Sequence, residues 1–241
     1  MMLDPSFHQS CCFSYERLLS ELPCPAFVYF GMVPVDSNCL EAKLLVKYTS
    51  QVLDALGMKN GPGHCEVILT PGGPCLVEMN CRAQGGDGTW CPLARALTGG
   101  YSQVEASVNS YLDKKAFFTL PKIPLSPAKA FGQEVMLVSF AEGQVTGTPG
   151  YDAIKALESF VCLETGISVG CKVEHTVDLV TSIGSVVLMH SEEEIVKRDI
   201  ATIRELEKKN KMFELKQSSH MMRAVSTLNL QNLSMTTKSS D

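Results

Sequence analysis

The 241-residue sequence has little that would tie it to a membrane, to a nucleic acid or to structural zinc. No apolar run approaches the ~20 residues that span a bilayer, and the first ten residues lack the basic and then apolar order of a signal peptide. A net charge of −5 with 20% charged residues provides no basic stripe. None of the ten cysteines belongs to a Cys-x-x-Cys pair. We therefore expect a cytoplasmic protein that binds neither membranes nor nucleic acids.

The glycines that precede the strand beginning at His64 do not form a nucleotide-binding motif. Gly61 and Gly63 belong neither to Gly-x-x-x-x-Gly-Lys nor to a strand-to-helix Gly-x-Gly-x-x-Gly, so they predict a plain turn. The single tryptophan, Trp90, is expected to pack rather than to bind a ligand.

The most informative stretch, residues 64–82, has the pattern of a β-hairpin. Two apolar runs of strand length, 64–69 and 75–82, flank Thr70-Pro71-Gly72-Gly73-Pro74. Because alternate residues of a strand share a face, one face carries the polar set and two aliphatic residues: His64, Glu66, Ile68, Leu76, Glu78, Asn80 and Arg82. The other face is apolar enough to be core: Cys65, Val67, Leu69, Cys75, Val77, Met79 and Cys81.

The register of this hairpin decides whether the polar groups meet. A two-residue turn at Gly72-Gly73 would be closed by two prolines, which have no N–H, and would set Glu66 opposite Met79. We therefore expect a five-residue turn over 70–74. This turn sets Glu66 directly opposite Glu78, with the side chains roughly 5 Å apart at Cβ.

Two carboxylates that face each other repel, and a shared proton, a basic partner or a bound cation would offset the repulsion. The in-phase Asn80 and Arg82 favour the cation, because Glu78 and Asn80 offer hard oxygen ligands on one side of a strand and Arg82 suits phosphate. The alternative is a hairpin with one solvated, charged face. Gln84 continues the alternation and would contact either substrate or solvent.

Local signals also delimit helices. Ser37 or Asn38 would cap a helix that Gly57 ends, and Ser102 with Glu105 forms a capping-box pattern before a helix that extends to residue 112. A last helix is expected over 191–215. Before it, a strand is predicted at 134–140, and residues 141–147 are expected to turn into another strand. These two strands and those predicted at 161–163, 171–173 and 184–190 are expected to form one small sheet.

Asn60-Gly61-Pro62-Gly63-His64-Cys65-Glu66, followed by Leu76-Val77-Glu78-Met79-Asn80-Cys81-Arg82, resembles the metal-binding hairpin of the ATP-grasp ligases. Within that superfamily the resemblance is to the branch of carnosine synthase and the bacterial L-amino acid ligases. It implies that Glu66, Glu78 and Asn80 hold two Mg²⁺ ions, or Mn²⁺ in their place, on the phosphates of ATP. It also implies that Arg82 is catalytic through contact with the phosphoryl group or the acyl phosphate, and that His64 lies near substrate or phosphate. Gln84 is expected near substrate or phosphate on the strand alternation alone.

The resemblance covers residues 25–215 and implies an α+β fold. The expected arrangement is the C-terminal half of an ATP-grasp fold, an antiparallel sheet with helices, followed by a small β-rich subdomain. We expect a poorly structured segment at 1–24, a partial catalytic domain with the metal-binding hairpin at 25–115, the β-rich subdomain ending in a helix at 116–215, and a disordered tail at 216–241.

The implied activity is ATP- and Mg²⁺-dependent joining of a carboxylate to an amine through an acyl phosphate, with amino acids as substrates and ADP and phosphate as products. Because only the C-terminal part of such enzymes is matched, we expect a truncated chain. The alternatives are a non-catalytic remnant that binds ATP and metal, or one piece of a split ligase whose N-terminal half a second polypeptide supplies. A glycosidase would also place two carboxylates about 5 Å apart, but it would not need Asn80 and Arg82.

Overall fold

The computed structural model describes residues 28–85, 88 and 90–216, together with the backbone of residues 12–15. The strands are β1 (Cys12–Tyr15), β2 (Gly31–Val35), β3 (His64–Thr70), β4 (Gly73–Asn80), β5 (Phe131–Leu137), β6 (Gly143–Gly147), β7 (Phe160–Glu164), β8 (Lys172–Val173), β9 (Gly184–His190) and β10 (Glu214–Lys216). The helices are α1 (Leu40–Leu56), α2 (Cys91–Thr98), α3 (Gln103–Leu112), α4 (Lys114–Thr119), α5 (Pro149–Lys155) and α6 (Glu193–Lys208). None of these helices is both long and apolar enough to cross a membrane.

The largest sheet has five strands in the order β1-β2-β5-β9-β7. Its centre is apolar on both sides, because alternate residues of β9 pack against different helices. Val186 and Leu188 belong to a core that includes Ile203 of α6, whereas Val187 packs with Leu93 and Leu97 of α2. Helices α2 and α6 therefore cover opposite faces of this sheet.

A three-stranded sheet, β10-β6-β8, and the two-stranded hairpin β3-β4 complete the strand pairing. Every pair is antiparallel, so the expected α+β class with antiparallel sheets is confirmed. The expectation of one small C-terminal sheet is wrong. Strands β5, β7 and β9 join β2 in the large sheet, and β6 and β8 pair in another, because the apolar faces of β5 and β9 are buried by helices that come from both parts of the chain.

Several element boundaries differ from the sequence predictions. Helix α1 is capped by Cys39, whose Sγ accepts a hydrogen bond from the Ala42 N–H at 3.3 Å, rather than by Ser37 or Asn38. Gly57 ends α1 with φ +67°, as predicted. The last helix ends at Lys208, not near residue 215, and β10 follows it.

The remaining predictions concern the ends of the chain and the division into domains. Within the segment expected to be poorly structured, residues 12–15 form β1, while the rest of that segment and the tail from residue 217 lie outside the described residues. The large sheet joins strands from both sides of the boundary expected after residue 115. The domain bounds themselves stay a prediction.

A buried ion pair fastens α6 to the large sheet. Arg204 donates from Nη2 to the carbonyl of Phe30 at 2.7 Å and from Nη1 to the carbonyl of Met136 at 3.0 Å. Its partner Glu207 accepts from Arg204 at 2.9 Å and from the N–H of Val138 at 2.9 Å. Because these backbone groups belong to β5 and to the residues that flank β2 and β5, the pair holds the strands in register with α6.

Trp90 fixes the loop that follows the hairpin. Its side chain is 2% exposed and packs with Met32 and Ala94. Its Nε1 donates to the carbonyl of Gly85 at 3.0 Å. The expectation that Trp90 packs is confirmed, and its burial anchors the chain just beyond Arg82.

Candidate metal site on the β3-β4 hairpin

The hairpin has the predicted carboxylate pairing but a different turn. Thr70 pairs with Gly73, so the turn has two residues, Pro71 and Gly72, and the five-residue turn is wrong. Proline fixes the backbone angle that the first turn position needs and has no N–H to lose there. The Thr70 hydroxyl closes the turn, since its Oγ1 donates to the Gly73 carbonyl at 2.8 Å and accepts from the Gly72 N–H at 3.2 Å.

With this shorter turn alone, Glu66 would not lie opposite Glu78. A β-bulge restores that pairing. The pairing shifts between Glu66 and Val67, with Val77 as the additional residue on β4, and Glu66 lies directly opposite Glu78. The predicted pairing of the two carboxylates is therefore confirmed, with the bulge as its physical reason. Bulges of this kind commonly redirect side chains beside functional sites.

The same bulge changes the faces of the hairpin beyond Glu66. Leu76 pairs with Val67 and so lies on the face opposite the carboxylates, where the prediction had placed it with them. Cys75 pairs with Ile68 and moves to the carboxylate face. The predicted apolar core face is also wrong, because none of its seven residues is buried, and Leu69 and Val77 are exposed.

Helix α1 supports the hairpin from the side. The N–H of Leu76 donates to the hydroxyl of Tyr48 at 3.2 Å, which provides a partner for a backbone group near the bulge. Tyr48 lies within the helix that was predicted to end at Gly57, and a helix prediction gives no signal of a contact with β4.

Four of the predicted side chains meet on the hairpin. His64 is paired with Asn80 and Glu66 with Glu78 across the two strands. One donor atom from each of His64, Glu66 and Glu78 lies within 4.8 Å of the others, and His64 Nε2 is 4.0 Å from Glu66 Oε1. Asn80 Nδ2 donates to Glu78 Oε1 at 2.5 Å, which directs the amide oxygen away from that carboxylate.

The chemistry of these donors fits a divalent cation. Two facing carboxylates and a nearby amide oxygen are hard ligands, and their mutual repulsion falls when a cation binds. The side chain of Glu66 is 32% exposed and that of His64 is 16% exposed, while Glu78 is exposed. The group is therefore held by a strand pair yet accessible from solvent. His64 Nδ1 is buried and has no hydrogen-bond partner within the described part of the chain.

Arg82 and Gln84 lie outside this group. Arg82 is exposed, and its Nη1 donates to the neighbouring carbonyl of Ala83 at 2.9 Å. Gln84 Nε2 lies 2.8 Å from Met32 Sδ, and the Gln84 carbonyl accepts from Gln103 at 3.1 Å. The structure thus joins His64, Glu66, Glu78 and Asn80, while roles for Arg82 and Gln84 stay predictions.

Comparison with known proteins gives both a sequence relative and fold relatives. No protein-family model matches the chain. The chain is 28% identical over 165 residues to dapdiamide A synthase of Enterobacter agglomerans, which covers 68% of this chain and 38% of that protein.

Two solved structures share the fold. The L-amino acid ligase of Bacillus licheniformis matches with a TM-score of 0.63 and 18% identity, over 81% of this chain and 48% of its own. The phosphoribosylglycinamide synthetase of Anaerococcus prevotii matches with a TM-score of 0.58 and 14% identity, over 83% of this chain and 50% of its own. The chain thus spans half or less of the length of these relatives. The antiparallel sheets and these two structures together show that the chain has an ATP-grasp fold, and its sequence is similar to that of dapdiamide A synthase.

Proposed function

We propose that this chain carries the cation- and phosphate-binding part of an ATP-dependent carboxylate–amine ligase that acts on amino acids. The observation that carries the proposal is the facing pair of Glu66 and Glu78 with Asn80 beside it. The similarity to dapdiamide A synthase and to the fold of an L-amino acid ligase supports amino acids as the substrate class.

In this proposal Glu66, Glu78 and Asn80 hold Mg²⁺, two ions by resemblance, against the phosphates of ATP. Bound cations would neutralise the phosphate oxygens as the phosphoryl group is transferred. The bulge fixes Glu66 opposite Glu78, and the Asn80 hydrogen bond orients the Glu78 carboxylate, so this chain presents both carboxylates on one face of the hairpin.

Arg82 would contact the transferred phosphoryl group. Its guanidinium is held only by a local backbone carbonyl among the contacts described, and it is exposed at the end of the hairpin. A rotation of this side chain is enough to exchange that contact for phosphate oxygens, which a guanidinium binds in bidentate fashion.

The reaction has two steps. A carboxylate oxygen of the first substrate attacks the γ-phosphorus, and the bond to the β–γ bridging oxygen breaks, which gives an acyl phosphate and ADP. The amine of the second substrate then attacks the acyl carbon. Phosphate leaves and the amine loses a proton, which gives the amide.

Calorimetry of Mg²⁺-dependent ATP binding tests the proposal. We expect binding by the unaltered chain and loss of binding in Glu78→Ala, because one of the facing carboxylates is removed. Glu142→Ala is the matched control, since Glu142 is an exposed carboxylate outside the hairpin. Equal binding by Glu78→Ala and Glu142→Ala would contradict the proposal.

A second candidate is a chain that binds nucleotide but needs a further polypeptide for turnover. Large exposed apolar side chains favour it: Leu40 of α1 is 78% exposed, and Tyr111 and Leu112 of α3 are 70% and 83% exposed. Such side chains are typical of contact surfaces. Phosphate release by the purified chain on addition of amino acids would exclude this candidate, whereas ATP binding without release would support it.

A further inference from the structure

We propose that His64 supplies a nitrogen ligand to the cation that Glu66 and Glu78 hold. The inference rests on the proposed cation site and adds a donor to it: the site would be a mixed nitrogen and oxygen site. It would therefore select Mn²⁺ and later divalent transition metals over Mg²⁺.

The strand geometry brings the imidazole to the carboxylates. His64 is two residues before Glu66 on β3, so both side chains share a face. Its Nε2 is 4.0 Å from Glu66 Oε1, and the donors of His64, Glu66 and Glu78 lie within 4.8 Å of one another. Three ligands evenly spaced around one ion at ~2.1 Å are at most about 3.6 Å apart. The three donors, which lie within 4.8 Å of one another, therefore need to approach by roughly 1–2 Å to share an ion.

Of the two ring nitrogens of His64, Nε2 is the one that faces the carboxylates, at 4.0 Å from Glu66 Oε1. Buried ring nitrogens are normally hydrogen-bonded, yet His64 Nδ1 has no partner within the described part of the chain. The side chain is 16% exposed, so little solvent reaches the ring. The polar contact that the structure gives this ring is its approach to Glu66, in the direction of the facing carboxylates.

His190 provides the contrast. Its Nε2 is 3.9 Å from Glu158 Oε1, much like the distance from His64 to Glu66. However, its Nδ1 accepts a hydrogen bond from the N–H of Glu192 at 3.0 Å, and within the described residues it belongs to no group that could hold a metal. His190 is therefore a histidine with a similar carboxylate contact but without a second carboxylate, and His190→Gln is a matched control.

A nitrogen ligand changes which ions the site prefers. Mg²⁺ demands oxygen ligands and loses its water reluctantly, whereas imidazole binds transition metals, with affinity rising from Mn²⁺ to Cu²⁺. We expect the chain to bind Mn²⁺ at least tenfold more tightly than Mg²⁺. His64→Gln should reduce Mn²⁺ affinity about tenfold or more and change Mg²⁺ affinity far less.

Pulsed electron paramagnetic resonance with Mn²⁺ as the probe tests the inference directly. We expect ¹⁴N modulation from the bound ion in the unaltered chain and in His190→Gln, replaced by the ¹⁵N pattern when the protein is made with ¹⁵N-histidine. The modulation should be absent in His64→Gln. Because the labelled, unaltered chain is itself informative, the test does not depend on the variant folding.

The outcomes separate the two proposals. If Mn²⁺ binds and Glu78→Gln abolishes that binding, but no nitrogen modulation is seen in the unaltered chain, His64 is not a ligand and the carboxylate site stands. If Mn²⁺ binding is the same with and without Glu78, the carboxylate site fails and the inference falls with it. Nitrogen modulation that persists in His64→Gln would also overturn it.

Discussion

Asn80 donates a hydrogen bond of 2.5 Å from Nδ2 to Oε1 of Glu78, two residues earlier on β4. A carboxylate accepts only, so the amide must present its nitrogen to Glu78 and its oxygen elsewhere. The contact therefore orients the Glu78 carboxylate, and the Asn80 amide has to rotate before its oxygen can share an ion with Glu78.

Asn80→Ala is expected to weaken Mg²⁺ binding about tenfold or more, because the site loses an oxygen donor and Glu78 loses the contact that orients it. The cost in folding stability should be at most about 1 kcal/mol, since the hydrogen bond lies at the surface. Calorimetric titration with Mg²⁺ and urea unfolding measure the two effects. An unchanged affinity for Mg²⁺ would remove Asn80 from the site.

Glu66→Gln should make the metal-free protein more stable. The substitution removes the repulsion between Glu66 and Glu78, and facing cross-strand pairs contribute about 0.2–1 kcal/mol. The same variant should lose the stabilisation that Mg²⁺ gives the unaltered chain, because ligands that bind only the folded state stabilise it. Urea unfolding in EDTA and in saturating Mg²⁺ compares both conditions.

Glu142→Gln, an exposed carboxylate outside the hairpin, is the control for this comparison. It should change neither the stability in EDTA nor the response to Mg²⁺. If Glu66→Gln is less stable than the unaltered chain in EDTA, the facing carboxylates are not a source of strain.

These expectations show which parts of the hairpin the sequence determines. Strand alternation placed Glu66 and Glu78 on one face, but the turn that was predicted to bring them opposite each other is not the turn observed. The bulge at Val77 was not predictable, because no local sequence pattern specifies the additional residue. The predicted turn was too long and the bulge was not predicted. These two errors cancel for the pairing of Glu66 with Glu78, but they place Leu76 on the wrong face of the hairpin.

Long-range pairing was harder to predict than local structure. The capping box of Ser102 and Glu105 is present as expected, because both partners lie within one helical turn. By contrast, the pairing of β2 with β5 joins residues about a hundred positions apart. Such pairing is set by the burial of both faces of β5 and β9, which no local pattern specifies.

The carboxylate of Glu105 should make stability depend on pH. Partial burial raises its pKa, but hydrogen bonds from Ser102 and Arg95 outweigh this and lower the pKa to about 2. Because the folded-state pKa lies below the ordinary value of 4.5, Glu105 contributes stability that is fully present above pH 4.5. That contribution is lost as the pH falls from about 4.5 to about 2.

Glu105→Gln should therefore reduce the loss of stability across that acid range, and it should cost about 0.5–2 kcal/mol at neutral pH by weakening the cap of α3 and its link to Arg95. Thermal unfolding at a series of pH values measures the difference. The same acid dependence in Glu105→Gln and in the unaltered chain would assign the effect to other carboxylates.

The buried pair of Arg204 and Glu207 should behave as a unit. Burial raises the pKa of Glu207 despite the attraction of Arg204, so the pair is costly to form and still more costly to break. Glu207→Leu alone leaves the Arg204 charge, which is 11% exposed, without its carboxylate, and should cost about 3–5 kcal/mol.

A double-mutant cycle with Arg204→Met tests this coupling. The double variant should be less destabilised than the sum of the single variants, because neither charge is then left alone. It should not recover the original stability, since the carbonyls of Phe30 and Met136 and the N–H of Val138 lose their partners. Additive losses would show that the two charges do not interact, and full recovery would show that these backbone contacts contribute nothing to holding α6 against the sheet.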